Sequence, residues 1–181
     1  MRYISGRAQV VCGHLNENGF LATTSVNPEE YHPNPVSGVV IPLIREAKLS
    51  DAPAIAGLIT QLGYPTGPDE MATRLEAILL EVEAVTLVAE LDGEVVGLTG
   101  ARLGNAFERN GRHAGLLVLV IDEKWQGNGI GRLLLDQVEA WAKEKGATLM
   151  ILTSSNHRLG AHEFYRKLGY GETGMRFAKG L

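Results

Sequence analysis

The chain of 181 residues has a single cysteine, Cys12, so it cannot close an internal disulfide, and a reducing, cytoplasmic setting is expected of it. It has no apolar run near the about 18–20 residues that a membrane span requires. Its first residues lack the basic-then-apolar order of a secretion signal. Basic residues are outnumbered, 17 Lys and Arg against 21 Asp and Glu, and they form no run that could serve as a nucleic-acid surface. Neither a membrane nor a nucleic acid is therefore expected as a partner. The five histidines and one cysteine lack the spacing of metal ligands, so no metal centre is expected. A Ser-His-Asp triad is not indicated either. What is present, 45% hydrophobic and 21% charged residues, suits one globular domain with a short appendage. Nothing in this composition opposes a homodimer.

Residues 1–38 carry Asn27-Pro28, Pro33 and Pro35 with scattered glycines and no sustained period of 2 or 3.6. They read as a flexible N-terminal extension without function, with a short strand near Gln9–Val11. From residue 39 to 181 the pattern becomes regular and reads as one domain. Val39–Glu46 is expected as a strand that Pro42 places at an edge or bend. Ser50 is expected to cap a helix running to Leu62, with Asp51 and Pro53 in its first turn. Met71, Leu75, Ile78 and Leu79 share one face of a second helix, Asp69–Glu81. Asp92-Gly93 joins two strands, Ala84–Leu91 and Glu94–Leu103, as a tight hairpin. A polar loop, Gly104–Gly111, leads to His113–Ile121, whose apolar run suggests a strand buried on both faces. A helix striped with Ile130, Leu133, Leu134, Val138 and Trp141 follows, stopped by Gly146. A strand Ala147–Thr153, a helix Leu159–Leu168 and a closing strand Tyr170–Phe177 complete the order β-α-α-β-β-β-α-β-α-β. That order implies an α/β (α+β) domain, a mixed sheet flanked by helices.

Between the long strand and the striped helix lies Gln126-Gly127-Asn128-Gly129-Ile130-Gly131-Arg132. Glycines let backbone N–H groups approach a ligand, and a helix start adds free donors and partial positive charge. The loop is an anion cradle suited to a phosphate or pyrophosphate. It is not a Walker A loop, because Arg132-Leu133 stands where Lys-Ser/Thr belongs. Nor is it a dinucleotide fingerprint, because its glycines are spaced G-x-G-x-G rather than G-x-G-x-x-G.

The run Gln126-x-x-Gly129-x-Gly131 resembles the Q/R-x-x-G-x-G/A loop that binds the pyrophosphate of acyl-coenzyme A in the GNAT superfamily of N-acetyltransferases. One helix and one strand later, Ala161-His162-Glu163-Phe164-Tyr165-Arg166-Lys167-Leu168-Gly169-Tyr170 resembles the A-x-x-F-Y-x-x-x-G-F/Y motif of the same superfamily. The resemblance covers about residues 39–178 and implies the GNAT fold, with a mixed, mostly antiparallel sheet. It implies that acetyl-CoA is the acyl donor. The backbone of Leu119, Val120 and Ile121 would pair with the pantetheine arm where two strands splay apart. The amides of Gly127, Asn128, Gly129, Ile130, Gly131 and Arg132 would hold the pyrophosphate, with Gln126 fixing the loop. The Arg132 side chain either adds charge there or is an ordinary solvated residue at a helix start.

The same resemblance makes Tyr165 the general acid that protonates the departing thiolate. A phenol near pKa 10 is a serviceable donor to a thiol near 8.5. The competing reading is that Tyr165 packs beside Phe164 and Leu168. Relatives often carry a cofactor-binding Asn seven positions before this Tyr; here that position is Arg158, with Asn156 two residues earlier. Both are candidates for the contact, Arg158 ahead on register, and Ala161 of the motif joins them on the cofactor side. No general base stands at the usual places, Gly115 and Thr153. His113, two residues from Gly115, and Glu108 in the preceding loop are the candidates, and a water relay is the alternative.

The expected activity is transfer of an acetyl group to a primary amine of a small molecule by direct attack on the thioester. Gln61–Asp69 and Gly104–Arg112 are expected on the acceptor side. Acetylation of a protein or peptide N-terminus or lysine is one alternative. A CoA-binding regulatory module without turnover is the other.

Overall fold

The computed structural model describes the backbone of residues 10–15 and 21–26, and residues 42–180 in full. In chain order the elements are strands β1 (Val10–Leu15), β2 (Leu21–Val26) and β3 (Leu43–Glu46), and helices α1 (Ala52–Gln61) and α2 (Pro68–Leu79). Then come β4 (Ala84–Leu91), β5 (Glu94–Asn105), β6 (Arg112–Ile121), α3 (Ile130–Glu144), β7 (Ala147–Leu152) and α4 (Leu159–Lys167). The strands form one sheet in the order β2-β1-β3-β4-β5-β6-β7. Every pairing is antiparallel except β6 with β7.

The two faces of the sheet carry different helices. Alternation along the strands sends Val88, Leu98 and Val120 to one face, against Ile55, Ala56 and Leu58 of α1 and Met71 and Leu75 of α2. It sends Ala101 and Leu116 to the other, against Leu135 and Val138 of α3, where Phe164 and Tyr165 of α4 also pack. The β4–β5 hairpin turns on Asp92 and Gly93 with φ of 49° and 83°, the two positive angles of a type I′ turn.

Several details differ from expectation. Ser50 does not cap α1; it lies in a short 3-10 turn, Leu49–Asp51. Asp51 is the residue at the N-cap position, but its side chain turns back, accepting the Lys48 N–H at 2.7 Å and both terminal nitrogens of Arg45 at 2.7 and 2.9 Å. Arg45 also donates from Nε to Glu90 at 2.6 Å, so a carboxylate at 51 finishes a network that a hydroxyl could not. Pro42 is buried just ahead of β3, which has neighbours on both sides and is no edge. The strand expected near Gln9–Val11 corresponds to β1, and the unexpected β2 pairs with it from Val10↔Val26 to Leu15↔Leu21. Residues 22–25, Ala-Thr-Thr-Ser, offer no apolar alternation that would announce a strand.

The closing strand expected over Tyr170–Phe177 is not formed. The segment carries Gly171 and Gly174, which weaken a strand, and its Glu172 pairs with Arg166 of α4. Nor is β6 buried on both faces. Gly100 pairs with Val118 and Ala101 with Leu116, so Leu117 is the extra residue of a bulge and is 61% exposed.

Candidate active site

The glycine loop leaves β6 through a second 3-10 turn, Glu123–Trp125, and enters α3 at Ile130. Gly127 and Gly129 have φ of 82° and 79°, which L side chains rarely adopt, so glycine is needed at both for backbone reasons. Gly131 differs: it is helical, and a Cβ there would meet Ile121 and Phe164 at an ordinary 3.6 Å. Among the described residues, no acceptor meets the backbone N–H groups of Gly127, Asn128, Gly129, Ile130 or Gly131. The Arg132 amide is already used, donating to the Gly129 carbonyl at 3.0 Å. Its side chain pairs through Nε with Asp136 at 3.1 Å on the next turn, which directs it along the helix.

Side chains hold the loop in shape. Gln126 Nε2 donates to the Ile121 carbonyl at 3.1 Å, and Asn128 Nδ2 to the Trp125 and Gln126 carbonyls at 3.1 and 3.3 Å. Ile130 is buried with Leu133 and Leu134 and anchors the helix start. The loop is thus shaped by its own side chains, and its backbone donors are left without partners among the described residues.

From this loop runs an unpaired strand edge. β7 pairs with β6 only as far as Leu116↔Leu152; beyond it, no described strand meets the outer edge of β6. The Asp122 N–H donates to Val96 of β5 at 2.9 Å, so strand alternation turns the backbone of Val120 toward β5 as well. Thr99, fully buried, holds the Val118 carbonyl from the same side at 3.1 Å. Leu119 and Ile121 face the open edge, where Gln126 already occupies the Ile121 carbonyl. Of the three residues expected along the arm, Val120 therefore has its backbone committed within the sheet. Leu119 N–H and C=O and Ile121 N–H are exposed to a ligand.

Tyr165 lies at the far end of that edge. Half-buried, it packs against the cluster of Ala101, Leu116, Leu135 and Val138, where β6 and β7 part. Its ring meets Phe164 edge-on at 5.3 Å and Tyr170 at 5.7 Å. Burial pushes its phenol above the ordinary range, and the nearby charge of Arg158 opposes that rise. Tyr170, also buried and donating to Glu139 at 2.7 Å, is raised as well. Leu116 to Ile121 is five strand steps, roughly 17 Å.

Of the remaining candidates, Glu108 and Asn156 line one open cleft with Tyr165, and the charge of Arg158 also reaches that phenol. Arg158, the N-cap of α4, donates from Nη2 to the Leu62 carbonyl at the end of α1. Asn156 and His157 are exposed in the turn before α4, Ala161 is half-buried in its first turn, and His162 bonds the Ser155 carbonyl at 3.0 Å. The His113 ring lies flat on Gly104 of β5, which has no Cβ to displace it. Glu108 is exposed, 3.7 Å from Arg109, on the rim of an open cleft that Tyr165 also lines. His113 is not among the residues lining that cleft.

One structural residue of the site has no signal in the sequence. Gln61, the last residue of α1, donates from Nε2 to Asp122 at 3.0 Å and accepts the Glu123 N–H at 3.1 Å. The bond from Gln61 and that from the Lys124 amide hold the Asp122 carboxyl below its usual range. The Asp122 carboxylate and the Glu123 amide thus face α1.

An amide-lined loop, an open strand edge and a phenol near its end thus lie along one side of β6. The pattern of the Acetyltransferase (GNAT) family matches residues 52–170, and the chain belongs to that family. It is an acyltransferase with the GNAT fold. Over 137 residues it is 34% identical to an aminoglycoside N(6')-acetyltransferase type 1 of Stenotrophomonas maltophilia, covering 73% of this chain and 88% of that one. It is 29% identical over 143 residues to an aminoalkylphosphonate N-acetyltransferase of Salmonella typhimurium, covering 76% and 90%. A solved structure of an aminoglycoside N-acetyltransferase in complex with CoA has the same fold, with TM-score 0.68 at 20% identity over 76% of this chain and 93% of that one. No described helix is long and apolar enough to cross a membrane.

Proposed function

We propose that this acyltransferase moves an acetyl group from acetyl-CoA to a primary amine of a small molecule. The observation that carries the donor half is the unpaired edge of β6, which runs from the unpartnered amides of Gly127–Gly131 to Tyr165. The amides and the helix start suit a pyrophosphate. Leu119 and the Ile121 N–H suit the two amides of an extended pantetheine arm, which such an edge binds as it would a strand.

The acetyl transfer forms a C–N bond and breaks a C–S bond, and each end needs one proton moved. Tyr165 serves as the acid for the sulfur, since a phenol is protonated at neutral pH and burial shifts it further from ionisation. At the amine, His113 lies outside the cleft that Tyr165 lines and Glu108 is on it but exposed beside Arg109, which favours water in that cleft as the acceptor of the proton. Positioning of the two reactants then supplies much of the rate. A small-molecule acceptor is supported by relatives whose names specify aminoglycosides and aminoalkylphosphonates.

The test is a turnover screen with acetyl-CoA over aminoglycosides, amino sugars, aminoalkylphosphonates, polyamines and peptides. Turnover with a small amine is expected. Turnover confined to peptides would move the acceptor to protein. Tight CoA binding with no turnover on any of them would make the chain a regulatory CoA-binding module.

A further inference from the structure

We propose that Arg158 tunes donor affinity by lying across the gap that the pantetheine arm enters, so that the arm must displace it from Leu62. This rests on the reading of the chain as CoA-dependent. α1 packs on one face of the sheet and α4 on the other. The β6–β7 ladder stops at Leu116↔Leu152. A bond from the start of α4 to the end of α1 therefore crosses between the two faces where the strands are no longer paired. That is the same opening onto which Leu119 and Ile121 direct their backbones.

The Leu62 carbonyl is a natural anchor for such a strap. It ends α1, and the amides that follow are used elsewhere: Gly63 donates to Thr60 and Tyr64 to Ile59. The carbonyl is thus one of the orphan acceptors of a helix end, carrying partial negative charge, and a guanidinium satisfies it well. Arg158 is half-buried, and no other hydrogen bond of its guanidinium is made among the described residues. A side chain held by one bond can be displaced. Arg158 and Tyr165 are also seven residues apart, about two turns along one side of α4. A released guanidinium therefore stays on the flank of the gap.

Calorimetry on the full chain tests this with two ligands: CoA, and 3′-phosphoadenosine 5′-diphosphate, its nucleotide half without the arm. Arg158→Met keeps the aliphatic stem and removes the strap. It is expected to bind CoA roughly tenfold or more tighter, the gain from one charge-assisted bond no longer broken, with the nucleotide unchanged within about twofold. Arg158→Lys, which keeps one donor, is expected between the two and serves as a second variant if the first melts early. Unchanged or weaker CoA binding by a folded variant overturns the strap. Weakening toward both ligands would make Arg158 a phosphate contact instead. A wild-type chain that binds CoA but acetylates nothing overturns the transferase reading alone, whereas one that binds no CoA overturns both.

Discussion

Gln61 and Asp122, distant in sequence, are joined by a hydrogen bond of 3.0 Å, and the same amide side chain receives the Glu123 N–H at 3.1 Å. One glutamine at the end of α1 thereby fixes the entry to the glycine loop, whose exit is fixed by burial of Ile130. Gln61, the first of the residues expected on the acceptor side, bonds to the entry of the glycine loop.

Gln61→Ala should loosen the loop without unfolding the protein, because the bonds are exposed. The KM for acetyl-CoA is expected to rise about threefold to tenfold, corresponding to about one hydrogen bond, while kcat stays within about twofold. Steady-state kinetics with acetyl-CoA as the varied substrate checks it. A fall confined to kcat would detach Gln61 from the donor site.

The three glycines of the loop should not respond alike. Gly129→Val forces a β-branched residue to a φ of 79° and is expected to cost about 1–3 kcal/mol of stability along with CoA affinity. Gly131→Ala adds a methyl at 3.6 Å from Ile121 and Phe164 and is expected to be nearly neutral. Melting curves and CoA titration of both variants separate the backbone role from the packing role.

Tyr165→Phe is expected to lower kcat about a hundredfold with CoA affinity unchanged, the size of a lost general acid. The acid works while protonated. Since burial raises its pKa, the alkaline fall in kcat/KM should lie above the ordinary phenol range. A fall near neutral pH that persists in the Phe variant would assign the acid elsewhere.

The Arg45–Asp51–Glu90 network predicts acid lability. Burial alone would raise the Asp51 carboxyl, but the bonds from Arg45 and the Lys48 amide outweigh it and hold the group below its usual range. A carboxyl lowered in the folded state stabilises above its unfolded pKa, and that stabilisation is lost as pH falls through the folded value. Asp51→Ala is expected to cost about 1.5–3 kcal/mol at pH 7, with the difference from wild type shrinking below about pH 4. Urea titrations at pH 7 and pH 3 measure it.

Much of the fold was legible because its signals are local. Asp92-Gly93 announced its hairpin, the Ile130–Val138 stripe its helix, and Gly129 its turn, each through a rule acting within a few residues. The failures were of pairings that no local rule encodes. Leu117 belongs to an unbroken apolar run, yet it is expelled because β5 and β6 differ by one residue between Gly100 and Ala101. Val120 and Leu119 are both aliphatic, and only strand pairing decides which has its backbone free. Gln61 and Leu62 look like any helix end, and their partners lie far along the chain. The segment after Tyr170 alternates well enough to suggest a strand, but its glycines weaken one and its Glu172 pairs with Arg166 of α4.

The lone parallel pairing, β6 with β7, has a mechanical consequence. β7 is the edge strand, joined to the sheet by one ladder from Arg112↔Ala147 to Leu116↔Leu152, while it and α4 also pack on α3. A strand paired on one side yields sooner than a central strand paired on both. Amide exchange should then be faster over residues 147–152 than along Val96–Ala101, and CoA should slow it. Tyr165 rests on the same α3 whose first turn follows the glycine loop, so the distance between phenol and loop is held by that helix rather than by the edge strand.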